Sequence, residues 1–236
     1  MSDDRITVSR DLFLELNHFI ENWTERALGD GVVYPDRLKP DERSCAVIIG
    51  HTARAPGAKS DFLRNENNPN GMHEYPFNSL LAPHVATRLR TLGIDAEVFT
   101  RDGGGIEGAY EASEAWGADC TVELHFNSAA TRQATGTETL IHRIAGLSTY
   151  ALASSVQAEM VKALGLKDRG VKTTADTNGR GEANLSQIAE PSIIVEPFFG
   201  SNPNDCAAAM ERFERLAEAI ARGVQHWFIA QRAEVS

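Results

Sequence analysis

Four residues stand where chemistry can happen. His51 directly follows the apolar run CAVIIG (45–50), and Glu74 lies just before a helical segment, after a long polar loop. His125 lies near the end of the run TVELHF, and Glu196 near the end of SIIVE. Two histidines and one carboxylate make a zinc-binding set that leaves a fourth position for water. A second carboxylate can then serve as general base and acid. Spacing alone does not select this reading, because the residues are far apart in sequence and form no local HExxH pattern. Each also has a plainer account. His51 can cap a strand in a polar loop. Glu74 can be a first-turn acid that complements the helix dipole, and taken alone that account is the better one. His125 can be a hydrogen-bonded core histidine. Glu196 is harder to dismiss: an acid after Ile193, Ile194 and Val195 and before Phe198 must be paired, protonated or metal-linked.

The elements that position these residues alternate between strand and helix. CAVIIG (45–50), 95–101, 119–127, 137–143 and the β-branched 191–199 read as strands. Residues 60–72 read as loop. Residues 77–92 carry Leu80, Leu81, Val85, Leu89 and Leu92 at helical spacing, with Pro83 predicting a late start or a kink. Residues 103–117 open as loop and become helix, 148–164 form a helix ending near Gly165, and 205–231 read as one long helix. This alternation predicts an α/β domain with an open, largely parallel sheet covered on both faces. Ligands in such sheets bind where strands end and loops begin. Upstream, residues 10–26 read as an amphipathic helix and 29–43 as a linker or irregular arm. The expected division is an N-terminal helical extension and linker over 1–43 and a catalytic domain over 44–232.

Composition excludes several classes. The chain has 236 residues and a formal net charge of -10, against a nucleic-acid partner that needs clustered Lys and Arg. No run is long and apolar enough to span a bilayer. The start, MSDDRITVSRDLF, lacks a basic segment followed by an apolar one, so no signal peptide is read and a cytoplasmic location as synthesised is expected. The three cysteines, Cys45, Cys120 and Cys206, form no CxxC pair and read as reduced thiols. Gly103, Gly104 and Gly105 do not make a dinucleotide fingerprint. Ser128 and Ser201 lack the elbow of a serine hydrolase. His142 reads as an exposed strand residue.

Five motifs in order give the chain a resemblance. IIGHTARAPGA, HEYPFN, VFTRD, VELHFNSA and IIVEPFFGSNPND resemble the motifs of the zinc N-acetylmuramoyl-L-alanine amidases of the amidase-3 type, over about residues 47–227. The resemblance implies zinc held by His51, Glu74 and His125, with Glu196 as the catalytic acid–base. It implies cleavage of the amide between N-acetylmuramic acid and L-alanine of peptidoglycan or a muropeptide. It implies a mixed, largely parallel sheet of about six strands flanked by helices. Arg101, Asn78 and Asn127 are the matching polar positions for supporting the site or binding the stem peptide. For Arg101, anchoring a carboxylate is an equal alternative. His73 is a rival ligand beside Glu74, and the motif favours Glu74. The chain departs from the pattern in TARAPGAKSD after the first histidine, in the long loop between residues 52 and 73, and at Glu123, where the family has Ser. Glu123 shares a strand face with His125 and is one candidate to fix its tautomer.

Two other classes stay open at this level. A zinc carboxypeptidase or a deacylase of small N-acyl amino acids would keep the metal logic and change the pocket. A non-catalytic peptidoglycan-binding domain would lose the metal, although it has little use for a buried Glu196. A phage-type endolysin, a recycling enzyme and a particle component all fit a chain read without a signal peptide. Oligomeric state is not legible.

Overall fold

The structure, a computed structural model, describes residues 43–187 and 191–233. The expected N-terminal helix and linker lie outside the described residues. The chain enters the sheet at β1 (Ser44–Ile49), whose residues after Ser44 are all buried. A two-residue ladder, β2 (Lys59–Ser60) with β3 (Met72–His73), follows within the long loop. Next come α1 (Glu74–Thr91), β4 (Asp95–Thr100), α2 (Gly105–Trp116), β5 (Cys120–Leu124) and β6 (Thr137–Ile141). The chain continues through α3 (Leu147–Leu164), β7 (Asp168–Thr173), the short α4 (Glu182–Leu185) and β8 (Ser192–Glu196). It ends with α5 (Pro203–Glu211) and α6 (Phe213–Ala233).

The six long strands form one mixed sheet in the order β4-β1-β5-β8-β6-β7. The neighbours β4, β1, β5 and β8 are parallel, β6 is antiparallel to β8, and β7 is parallel to β6. Side chains alternate between the two faces of a strand, and that alternation sorts core from site. Cys45, Val47 and Ile49, with Cys120, Val122, Leu124, Ile193 and Val195, enter the large core under α1, α3 and α6. The opposite face is thinly covered. Ile48 packs there with Ala109 and Tyr110 of α2, and Leu140 and Ile194 pack with Leu185 of α4. That face also presents Glu123, Glu138 and Glu196. The large core can therefore be apolar throughout while the other face holds buried acids.

Several sequence expectations are corrected. The predicted 205–231 helix is two helices, broken at Arg212 (φ -113, ψ 27), whose guanidinium donates to the Leu164 carbonyl at the end of α3. Helical periodicity does not register a one-residue break that preserves the apolar face. α1 starts earlier than predicted and runs through Pro83. Pro83 is exposed, so the carbonyl left without its helical partner can face water. The stretch 60–72 is not wholly loop: Ser60 pairs with Met72 in the β2–β3 ladder, and Leu63 and Met72 are buried in the core. β7 was not expected from its sequence, DRGVKT, because an edge strand that is only partly buried needs little apolar content. His142 lies just beyond β6, half-buried, with Nε2 3.1 Å from Glu182 Oε1.

The loop after β8 is held by hydrogen bonds. Asn202 caps α5 by accepting from the N–H groups of Asn204 and Asp205, and Pro203 occupies the first turn. Asp205 is buried; it accepts from Thr135 Oγ1 at 2.6 Å and from the N–H groups of Gly136 and Phe199, each at 3.0 Å. It thus ties the end of the Glu196 strand to the start of β6.

Candidate metal centre and catalytic cleft

The site forms at the C-terminal ends of β1, β5 and β8, on the thinly covered face. Gly50 ends β1 because nothing larger fits: a Cβ there would lie 2.3 Å from the Leu124 carbonyl oxygen and 2.5 Å from His125 Nε2. His51 then turns out of the strand with φ 67, a left-handed conformation that costs energy for a residue with a Cβ. The turn at Gly57, with φ 79, passes so close that a Cβ would meet the His51 ring at 2.6 Å. Glu74 is the first residue of α1, and its Oε1 accepts from the Ala58 N–H at 2.9 Å.

The long-range set converges. Glu74 Oε2 lies 3.2 Å from His51 Nε2 and 3.1 Å from His125 Nδ1, and also accepts from the Phe126 N–H at 3.2 Å. The two imidazoles meet edge to face, with centroids 4.8 Å apart. One ligand atom from each of His51, Glu74 and His125 lies within 4.8 Å of the others, a group able to hold a metal ion. His73, the rival, is turned away: its Nδ1 is 2.9 Å from the Gly57 carbonyl.

Behind His125 sits the departure from the family pattern. Glu123 is fully buried and its Oε1 is 3.1 Å from His125 Nε2. It also accepts from Arg101 Nη1 at 3.2 Å, Tyr110 OH at 2.8 Å and Asn184 Nδ2 at 2.9 and 2.7 Å. With Nε2 donating to Glu123, Nδ1 is the nitrogen left facing Glu74 and His51. Arg101 therefore anchors a carboxylate, and it also lines the cleft.

Burial opposes charge at all three of these groups, and their mutual contacts overrule it. Glu74 is held down at about 2 by its two histidines. Glu123 is held down at about 2 by His125, Asn184 and Arg101. His125, between two carboxylates, is pushed up to about 10. Glu196 behaves oppositely. Burial pushes its carboxyl up to about 7, with the His125 charge pulling it down and the Glu74 charge adding to the rise. Its Oε2 is buried and has no hydrogen-bond partner among the described residues. A carboxyl poised near neutrality in a cleft suits proton transfer.

These groups open onto a cavity of about 380 Å³. His51, Glu74, His125 and Glu196 line it, with Arg101, Asn127, Ser128 and Arg180 among the remaining wall. Of the residues expected to touch substrate, Arg101 and Asn127 are therefore in the wall. Asn78 is not: it is fully buried in α1, and neither side-chain amide atom has a partner among the described residues. Three polar residues of the site were not singled out from the sequence, namely Glu138, Arg180 and Asn184. The lone arginine between two glycines in TNGRGE was the signal available for Arg180.

Fold and site together define the class: an α/β domain with a mixed six-stranded sheet whose cleft holds a His–Glu–His group able to bind a metal ion. The family model of N-acetylmuramoyl-L-alanine amidase matches residues 46–226, and the chain belongs to that family. It is thus an enzyme that hydrolyses the amide between N-acetylmuramic acid and L-alanine in peptidoglycan. Protein YqiI of Bacillus subtilis (strain 168) is 29% identical over 164 residues, 67% of this chain and 76% of that protein. The N-acetylmuramoyl-L-alanine amidase CwlM of Bacillus licheniformis is 30% identical over 115 residues, 48% of this chain and 40% of that longer protein. The catalytic domain of CwlV, from Bacillus (Paenibacillus) polymyxa var. colistinus, superposes with a TM-score of 0.66 at 23% identity, covering 79% of this chain and 98% of that one. AmiC2 of Nostoc punctiforme gives 0.65 at 23% identity, covering 79% and 97%. Among the described residues no helix is long and apolar enough to cross a membrane.

Proposed function

We propose that His51, Glu74 and His125 hold zinc and that Glu196 is the proton-transferring residue of the amidase reaction. The observation that carries this reading is the placement of Glu74 Oε2 within 3.2 Å of both imidazoles, in the same cleft as the orphaned Oε2 of Glu196. The donors fit the group: two imidazole nitrogens and one carboxylate oxygen are a zinc set with a position left for water. A zinc ion bound there would act as a Lewis acid, polarising the amide carbonyl and acidifying a water.

The chain's own residues do the rest. Glu123 fixes the ring of His125 and its tautomer. Glu74 is oriented by the Ala58 and Phe126 N–H groups, so neither oxygen has to search for its partners. Glu196 takes a proton from the attacking water and returns it to the leaving L-alanine nitrogen. Its burial raises its proton affinity, which makes it a competent acid for the second half of the reaction. Peptidoglycan or a soluble muropeptide is the substrate.

Product analysis tests the reading. Digested muropeptides should show free L-alanine amino termini and intact N-acetylmuramic acid. Release of a C-terminal amino acid instead would make the protein a carboxypeptidase, and no cleavage would leave a binding domain.

A further inference from the structure

Arg180 stands in the cleft wall on a turn of left-handed residues. Asn178, Gly179 and Gly181 all take positive φ (55, 83 and 79). The Gly179 N–H donates to the Thr174 carbonyl at 2.7 Å, and a Cβ on Gly181 would lie 2.8 Å from Ile194 Cδ1. The guanidinium is fixed as well. Its Nη2 pairs with Glu138 Oε1, and its Nη1 donates to Asn127 Oδ1 at 2.9 Å. A guanidinium has five N–H donors, so most of the fork is still available after these two contacts. Its side chain remains 40% exposed, facing the cavity.

Charge is left over at this wall. Glu138 is a single buried carboxylate between two guanidiniums, with Arg169 Nε at 2.6 Å on its other oxygen. Arg169 lies over the Phe199 ring at 4.9 Å and is not part of the cavity wall. Glu196 Oε1 is 4.0 Å from Arg180 Nε, too far for a hydrogen bond. The group of Glu138, Arg169 and Arg180 therefore carries one net positive charge. Arg101, the other guanidinium of the wall, is already committed to Glu123. Among the described residues that line the cleft, the guanidinium with donors still to spare is that of Arg180.

We propose that Arg180, held by Glu138 and Asn127, is a subsite for a carboxylate on the peptide side of the substrate. Glu196 hands its proton to the leaving nitrogen, so the arginine beside it faces the peptide rather than the sugar. A planar fork with free N–H groups is suited to a carboxylate. This rests on the amidase reading above.

The test uses the full-length, metal-loaded enzyme and two substrates: N-acetylmuramoyl-L-alanyl-D-glutamate and its diamide, which lacks both carboxylates. The wild type should prefer the acid by about tenfold or more in kcat/KM, mainly through KM. The double variant Glu138→Gln/Arg180→Gln, which leaves neither the Glu138 carboxylate nor the Arg180 guanidinium and keeps only the half-buried Arg169 charge, should cleave both substrates alike. Arg180→Lys keeps a charge without the fork, so its preference should shrink. Equal cleavage by the wild type, or an undiminished preference in either variant, overturns the subsite. Failure of the wild type to cleave either substrate overturns the amidase reading and the subsite with it.

Discussion

Glu138 and Glu196 sit directly opposite one another on the antiparallel strands β6 and β8. Two acids in register on a buried face would ordinarily repel. Here they are made unlike. Burial raises the Glu138 carboxyl, but Arg169 and Arg180 overrule it and hold it below its usual range. Glu196, which has Arg180 Nε 4.0 Å away and no hydrogen bond to it, is pushed up to about 7 by burial. One acid is a fixed counter-ion and the other is free to exchange a proton.

That difference predicts a pH profile. Glu196 must be ionised to act as a base, so kcat/KM should climb with pH to a limb at or below about pH 7, because a bound cation nearby favours the carboxylate. Measurement of kcat/KM against pH checks this, and a flat profile from about pH 5 to 8 contradicts it. The stability of the metal-free protein should respond with the opposite sign. Because its folded pKa is raised from 4.5 to about 7, Glu196 contributes stability below 4.5 that is lost as pH rises through about 7. Glu74 and Glu123, lowered to about 2, contribute stability above 4.5 that is lost as pH falls toward 2.

Glu123→Gln should weaken metal binding. The amide places N–H donors among Arg101, Tyr110 and Asn184, which already donate, and loses the charge that faces His125. Loss of a comparable outer partner costs about 10–100-fold in metal affinity. Competition with a chelator reads this directly, and wild-type affinity would show that Glu123 serves the fold alone.

Gly50→Ala should damage fold and site together. The new Cβ would meet the Leu124 carbonyl, a backbone atom, at 2.3 Å and the His125 ring at 2.5 Å. Overpacking of this kind costs about 1–3 kcal/mol. Thermal unfolding should show a lowered Tm and chelator competition a weakened metal site. An alanine variant with unchanged Tm and affinity would mean that the β1 end is looser than the structure shows.

Much of this arrangement was legible in the sequence. CAVIIG and SIIVE announce central strands because residues buried on both faces need no polar alternation. The acid Glu196 stood out for the same reason. Convergence of His51, Glu74 and His125 was legible only through the family motifs, since contacts between distant segments leave no local period. The edge strand β7 was hidden by its charge and by Gly170, and the break at Arg212 by an apolar face that continues across it. Arg180 was hidden because a polar turn with two glycines reads as a loop of no consequence, whereas the structure shows that the glycines aim the arginine.

The most direct test of the central claim is zinc content measured alongside muropeptide cleavage, for the wild type and for Glu196→Gln. Near-stoichiometric zinc in both proteins, with cleavage by the wild type and a loss of about 100-fold or more in the variant, is the predicted result. A variant that cleaves as well as the wild type, or a wild type that cleaves without bound metal, would contradict the account.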